Sequence, residues 1–161
     1  MHNQTLFGAW GNDGGEIYTR FGDAPIEGNR LQIKTQGTQM NSKQLFNENQ
    51  WYHLAFVCTG TKLYLYVNGA LDNSMDLPGK ATNLSNRFNF GNTDYLKANV
   101  KVSELRFWTV ARTQAQIANN MYACDAKSTG LEAYWKLNEG GNTGKCVAVP
   151  TWEQNVRIDG K

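Results

Sequence analysis

A central stretch of the chain reads as two strands joined by a short loop, with apolar residues on both faces. Residues 51–57 read Trp-Tyr-His-Leu-Ala-Phe-Val, and after a short loop Leu63–Val67 reads Leu-Tyr-Leu-Tyr-Val before Asn68-Gly69. A period of two places successive side chains on opposite faces of a strand, and Asn-Gly is a preferred hairpin turn. The stretch therefore predicts paired antiparallel strands, with the leucine side of the second strand facing the core.

Similar short segments recur about every ten residues, separated by Gly-, Asn- and Asp-containing turns, which is typical of a β-sandwich or barrel. The strand candidates are Thr5–Trp10, Glu16–Phe21, Arg30–Thr35, Trp51–Cys58, Lys62–Val67, Arg87–Phe90, Val100–Trp108, Leu131–Leu137 and part of Cys146–Ile158. A helix is predicted at Thr113–Tyr122, because Thr113 and Gln116 form a capping box and Ile117 and Met121 share one face. We expect an all-β fold, a two-sheet antiparallel β-sandwich with one short helix.

Several of these segments resemble a known family. Trp51-x-His53-Leu-Ala, followed by Leu63-Tyr-Leu-Tyr-Val-Asn-Gly69, is similar to laminin-G-like (concanavalin A-like lectin/glucanase) jelly-roll domains. Further matching segments are Val102–Thr113, Gly130–Gly140 and Arg20–Asp23. Together they resemble most closely the form appended to surface glycan-utilisation proteins of Bacteroidetes-type bacteria, and the resemblance spans roughly residues 15–158.

This resemblance implies a jelly-roll sandwich that forms a single domain over residues 1–161. Members of the family usually begin with one or two more strands, so we expect N-terminal strands, and further domains of a parent protein, to precede this sequence. The resemblance also implies a secreted, periplasmic or outer-cell-surface protein.

The composition is polar without being strongly charged. The formal net charge is +2 and charged residues make up 19%, with no basic run of the kind that binds a phosphate backbone. No segment approaches the ~18 apolar residues of a membrane span. We therefore expect neither a nucleic-acid partner nor a membrane span. Abundant Asn, Gln, Thr and Gly are common in secreted sugar-binding sandwiches.

The three cysteines fit no zinc-binding pattern. Cys58 alternates with Leu54 and Phe56, which predicts a buried apolar side chain. Cys124 and Cys146 lie in or near connections, where they would pair in an oxidising compartment or remain free thiols. The sequence leaves both alternatives open.

The sequence does not favour an enzyme. Glycosidases of sandwich fold place two carboxylates on one strand face, and no alternating acidic pair occurs within a predicted strand. No Ser or Cys has a plausible His partner, and His53 occupies the family's structural position. A glycoside hydrolase remains a remote alternative that would require Glu104 and Glu132 to meet across strands.

Carbohydrate binding needs aromatic rings for the apolar faces of sugars and polar side chains for their hydroxyl groups. Trp10 stands beside a polar loop that contains Asn12 and Asp13, which makes it a candidate platform or the end of a core strand. In the second hairpin strand, Tyr64, Tyr66 and Asn68 share the face opposite the leucines. That face could line a groove or pack beneath a loop.

Other conspicuous residues are better interpreted as structural. Trp51, Trp108 and Trp135 lie within the family motifs and are expected in the core. Arg20 and Asp23 are expected to form an ion pair. Glu104, Arg106 and Arg112 are expected to form a network that holds their strand to the helix.

The resemblance implies calcium as a candidate ligand, because some laminin-G-like domains bind it at the sandwich rim. Oxygen-rich loops contain Asp13 with Glu16, and Asp72 with Asp76. Ca²⁺ takes six to eight oxygen ligands with several carboxylates, and neither loop is a recognisable calcium motif. No other cofactor is expected.

We conclude from the sequence that the chain is a non-catalytic binding module whose partner is a glycan, recognised by aromatic stacking and polar contacts. The alternative is a protein–protein adhesion or assembly module that binds other domains of its own parent protein, which predicts an exposed apolar patch.

Overall fold

The computed structural model describes residues 4–9, 17–22, 29–79, 88–90, 99–138 and 148–149. The strands of this part of the chain are β1 Gln4–Ala9, β2 Ile17–Phe21, β3 Leu31–Thr35, β4 Thr38–Asn41, β5 Leu54–Thr59, β6 Lys62–Val67, β7 Ala70–Asp76, β8 Phe88–Phe90, β9 Leu105–Trp108, β10 Leu131–Trp135 and β11 Ala148–Val149. The helix α1 spans Gln114–Asn119. Every strand pairing is antiparallel, which confirms the predicted all-β class with one short helix.

The chain divides into two compact units, Met1–Val100 and Lys101–Lys161. The first unit contains a five-stranded sheet in the order β4-β3-β2-β1-β8 and a three-stranded sheet in the order β5-β6-β7. The second unit contains α1 and a three-stranded sheet in the order β11-β10-β9. The predicted single-domain organisation stays a prediction.

The core of the first unit lies between its two sheets. Alternation along each strand sends one set of side chains inward, because successive residues point to opposite faces. The buried core residues are Leu6, Phe21, Leu31, Ile33, Met40, Phe46, Leu63, Leu65, Val67 and Leu77. Both sheets contribute, so this unit is a β-sandwich, and the leucine side of β6 faces the core as predicted.

The turn between β6 and β7 follows from its two residues. Asn68 has φ +50° and Gly69 has φ +78°, the pair of left-handed conformations that a type I′ hairpin turn requires. Asn68 Oδ1 accepts from His53 N at 2.9 Å, and Asn68 N donates to His53 O at 2.9 Å. The predicted Asn-Gly turn is confirmed.

The helix of the second unit begins as the sequence predicts. Thr113 caps it, with Thr113 Oγ1 accepting from Gln116 N and Gln116 Oε1 accepting from Thr113 N. Ile117 is buried, and the helix ends at Asn119, three residues earlier than expected. Among the described residues, no helix has the length and hydrophobicity needed to cross a membrane.

Two predictions of burial were wrong. Trp51 is 65% exposed, because β5 begins only at Leu54 and the family motif extends into the segment before the strand. Cys58 is an exposed free thiol, since it lies at the end of β5 beside the turn at Gly60. Trp135 is buried as expected.

Candidate functional site

The loop-borne candidates fall outside the described residues. These are Trp10, Asn12, Asp13 and Glu16, together with the Asp23 partner proposed for Arg20. Their roles in sugar or calcium binding stay predictions.

The candidate tyrosines of β6 lie on the face of their sheet opposite the core. Tyr64 and Tyr66 are half-buried, with ring centroids 6.5 Å apart and an interplanar angle of 31°. Their cross-strand partners in β5 are Val57, which is buried, and Ala55. Asn68 uses its amide oxygen to hold the His53 backbone, and its amide nitrogen, the one donor group of this side chain, is directed to no partner in that contact. The tyrosine face is therefore apolar at its centre.

A second non-core face belongs to the five-stranded sheet, and we name it the polar face. The register of β1 to β4 places polar and small side chains together, because directly paired residues of antiparallel strands share a face. Its residues are Thr5, Gly8, Tyr18, Arg20, Gln32, Lys34, Gln39 and Asn41. None of them is acidic.

Arg20 and Lys34 flank one aromatic ring on the polar face. The guanidinium carbon of Arg20 lies 5.5 Å from the centroid of the Tyr18 ring, and Lys34 Nζ lies 5.8 Å from the same centroid. Lys34 is the direct cross-strand partner of Tyr18. Cations are attracted to aromatic rings at such distances, which holds both side chains near the ring.

Amide groups extend the polar face across β3 and β4. Gln32 is buried, and its Oε1 accepts from Arg20 Nε at 2.7 Å. Its cross-strand partner Asn41 has a buried Oδ1 without a hydrogen-bond partner among the described residues. A buried acceptor without a partner is costly.

The acidic residues proposed for calcium have other contacts. Asp72 accepts from Gln44 N on Oδ1 and from Lys43 N on Oδ2, both at 2.8 Å. Asp76 lies 3.3 Å from Lys62 Nζ and is highly exposed. In the part of the chain that the structure describes, no group of three or more His, Cys, Asp or Glu side chains could hold a metal ion.

The network predicted around Glu104 is present in the second unit. One guanidinium nitrogen of Arg106 bonds Glu104, and the other donates to the carbonyl of Asn120, the residue that caps the end of α1. The hydroxyl of Tyr134 also donates to Glu104. Burial, followed by this hydrogen bond, raises the pKa of Tyr134. The Glu104–Arg106 pair therefore holds β9 to the end of α1, as expected.

The structure of this unit also bears on the expectations for Arg112 and for Cys124. Arg112 lies apart from the Glu104 contacts, with its guanidinium carbon 3.9 Å from the centroid of Trp108. Cys124 is a free thiol, and burial raises its pKa, while Cys146 lies outside the described residues.

The contacts of Glu104 do not favour a glycosidase pair with Glu132. Glu104 N donates to Lys136 O, and Glu132 lies four residues from Lys136. At about 3.3 Å per residue, that places the two backbones roughly 13 Å apart. The Glu104 carboxylate contacts Arg106 and Tyr134.

Sequence reasoning missed the polar face. Ile17–Phe21 and Leu31–Thr35 both alternate apolar and polar residues, so a face containing Tyr18, Gln32 and Lys34 could have been found by comparing them. The register that brings Lys34 beside Tyr18 could not be obtained in this way.

The first unit also exposes large apolar side chains. Leu45 is 47% exposed, Leu71 is 49% exposed, and Trp51 is the most exposed of the three. The hydrogen bonds of Asp72 to Lys43 N and Gln44 N bring the backbone beside Leu71 close to the backbone beside Leu45.

Comparison with known proteins agrees with this architecture. Residues 2–118 match the concanavalin A-like lectin/glucanases superfamily. The match covers more than half of the 161 residues, and the chain belongs to this superfamily. Its antiparallel sheets and single short described helix are those of a concanavalin A-like β-sandwich.

The chain is similar to a Bacteroides ovatus protein of known crystal structure that is provisionally described as a carbohydrate-binding protein. The identity is 26% and the TM-score is 0.68. The alignment covers 92% of this chain and 45% of that chain, so this chain spans less than half of the relative's length. No curated protein matches the sequence significantly.

Proposed function

We propose that the chain is a non-catalytic module that binds carbohydrate through the polar face. The observation that carries the proposal is the arrangement around Tyr18, where an aromatic ring, two cations and buried amide groups share one side of a rigid sheet. Sugars are recognised by such combinations of apolar ring and hydrogen-bonding groups, and rigid elements position them well. The similarity to the Bacteroides ovatus protein supports the same ligand class.

The absence of catalysis is part of this proposal. Its support is that the Glu104 carboxylate is bonded by Arg106 and Tyr134. Replacing both glutamates with glutamine should leave any bound glycan unprocessed, as in the unaltered protein. Hydrolysis by the unaltered protein that disappears in this double variant would instead establish a glycosidase.

We also propose a cellular location for the parent protein of this module. A parent protein that is secreted, periplasmic or exposed on the outer cell surface suits the superfamily and the length of the relative, which is more than twice that of this chain. We also propose that carbohydrate binding depends on calcium, with Asp13 and Glu16 among the calcium ligands.

The test is a glycan-array screen with and without calcium, followed by calorimetry on each ligand that binds. Tyr18→Ala should weaken binding, and Tyr64→Ala and Trp10→Ala examine the two sites expected from the sequence. Thermal denaturation of each variant separates lost binding from lost folding. Binding that requires Tyr64 or Trp10 but not Tyr18 would move the site away from the polar face.

A second function is favoured by the exposed side chains of Leu45, Trp51 and Leu71. Exposed apolar residues in neighbouring segments suit contact with another domain of the parent protein. The double variant Trp51→Ser/Leu71→Ser should then release the module from the remainder of the parent. An empty glycan array together with this release would favour assembly over sugar binding.

A further inference from the structure

We propose that the polar face selects acidic carbohydrates, those with uronate carboxylates or sulfate esters, through Lys34. This inference rests on the proposed carbohydrate-binding function and names the class of sugar. It begins from the two cations that lie within 6 Å of the Tyr18 ring centroid. Lys34 pairs directly with Tyr18, and Arg20 lies two residues from Tyr18 on the same face of β2, so both cations belong to the polar face beside this ring.

The charge of Lys34 has no compensating carboxylate in the part of the chain that the structure describes. The ion pairs recorded there join Lys62 to Asp76 and Arg106 to Glu104. Lys34 is nevertheless half-buried, which removes part of its hydration. A partly desolvated cation is stabilised by an anion, so a negatively charged ligand gains energy here that a neutral ligand does not.

The rest of the polar face favours a sugar as the carrier of that negative charge. The side chains around Lys34 on this face are neutral amides, a threonine and a tyrosine, which suit hydroxyl groups. Cross-strand pairing places the exposed amide of Gln39 directly beside Lys34. An acidic sugar unit would therefore place its carboxylate or sulfate at Lys34 and a hydroxyl group at the Gln39 amide.

A nucleic acid would also supply anions, but this surface suits it less well. Sequence-independent binding of a phosphate backbone uses several cations in a row, and each contributes to the salt dependence. The polar face offers two cations in its described strands, and the net charge of the chain is only +2. A DNA duplex therefore serves as a control polyanion in the test.

The experiment measures calorimetric affinity for matched acidic and neutral ligands. Oligogalacturonate is compared with its carboxyl-reduced counterpart, and chondroitin sulfate oligosaccharide with its desulfated form, so that carboxylate and sulfate are distinguished. Lys34→Gln should weaken binding of the acidic ligand by about tenfold, the loss expected for one hydrogen bond to a charged group. The neutral counterpart should lose less affinity than this, because it makes no charged contact with Lys34. Raising NaCl from about 50 mM to about 500 mM should weaken only the acidic ligand.

Lys62→Gln is the matched control, because it removes one lysine from the tyrosine face of the other sheet in the same unit. It should leave both affinities unchanged. Lys34→Glu, which places a carboxylate beside Arg20, should abolish binding of the acidic ligand. Retained thermal stability in each variant would show that the fold is intact.

The possible outcomes separate the two proposals. Equal affinity for the acidic and neutral members of each pair, with no effect of Lys34→Gln, would overturn charge selection and leave carbohydrate binding standing. Binding of the DNA duplex with the same dependence on Lys34 would overturn selection of sugars. Failure to bind any glycan, acidic or neutral, would overturn the proposed function itself.

Discussion

Asp72 accepts a 2.8 Å hydrogen bond on Oδ1 from the backbone N–H of Gln44, which lies 28 residues earlier in the chain. Its other carboxylate oxygen accepts from Lys43 N. The cross-strand partners of β7 shift between Leu71 and Asn73, so Asp72 occupies a bulge and has no direct partner in β6. This bulge frees its carboxylate to join the edge of the three-stranded sheet to the segment that follows β4.

Replacing Asp72 with alanine should therefore destabilise the first unit. The change leaves two backbone N–H groups without their charged acceptor, which should lower the free energy of unfolding by about 1–2 kcal/mol. Urea denaturation of the variant provides the measurement. Asp76→Ala is the matched control, since its exposed pair with Lys62 should contribute no more than about 0.5 kcal/mol. Equal losses in the two variants would contradict a special role for Asp72.

Asn68 should tolerate aspartate better than alanine. Its positive φ disfavours alanine, and alanine also loses the acceptor for His53 N, so Asn68→Ala should cost about 1–2 kcal/mol of unfolding free energy. Aspartate keeps the acceptor and tolerates the same backbone conformation, so its cost should stay within about 0.5 kcal/mol. Denaturant unfolding of both variants compares these costs.

The same pair of variants tests the sugar-binding role predicted for Asn68. The amide nitrogen is the only donor of the Asn68 side chain, and Asn68→Asp removes that nitrogen while keeping the turn. Reduced glycan affinity in a stable Asn68→Asp protein would support that role. Unchanged affinity would leave Asn68 as a turn residue alone.

Local sequence patterns determine those parts of the fold that the sequence predicted correctly. The alternation of Leu63 and Leu65 with tyrosines is sufficient to assign the buried side of β6, and Asn68-Gly69 is sufficient to assign its turn. The cap at Thr113 likewise depends only on a residue three positions away.

Non-local pairing determines the parts that were missed. The strands Thr38–Asn41 and Ala70–Asp76 are polar and lack a clear alternation, so their strand structure comes from pairing with β3 and β6. The same reason applies to the polar face. Tyr18 and Lys34 are individually unremarkable, and only the register between β2 and β3 makes them neighbours.

Removing the carboxylate of Glu104 should destabilise the second unit. The side chain of Arg106 is only 7% exposed, so Glu104→Ala leaves a buried cation without its counter-charge. We expect the free energy of unfolding to fall by about 3 kcal/mol, as measured by urea denaturation. The double variant with Arg106→Met should lose less than the sum of the two single variants, because it no longer buries an unpaired charge. Additive losses would show that the two side chains are not coupled.

Stability should fall at alkaline pH because of Tyr134. Burial and the hydrogen bond to Glu104 raise its pKa above the usual 10.0, so the folded state favours the protonated phenol. The resulting stabilisation is complete below the pKa of the unfolded state and is lost as pH rises through the higher pKa of the folded state.

Tyr134→Phe should be less stable by about 1 kcal/mol near neutral pH, because it loses one hydrogen bond. Its deficit should shrink above about pH 10. Denaturation curves at several pH values compare the proteins, and a constant deficit would contradict this linkage.

Gly130 should not tolerate alanine. It has φ +80°, and a Cβ atom there would lie 2.5 Å from Cγ2 of Val110. Backbone strain and this clash together should lower the free energy of unfolding by about 2–3 kcal/mol in Gly130→Ala. Val110 is 47% exposed, so Val110→Ala alone should cost no more than about 0.5 kcal/mol. In the double variant the contact with Cγ2 is removed and the nearest approach, to Cβ of residue 110, is 3.3 Å, so the backbone strain of about 1–2 kcal/mol should make up most of the remaining cost. Urea denaturation of the three variants measures this partial rescue. A double variant as unstable as Gly130→Ala would show that contact with Val110 is not the reason for glycine at this position.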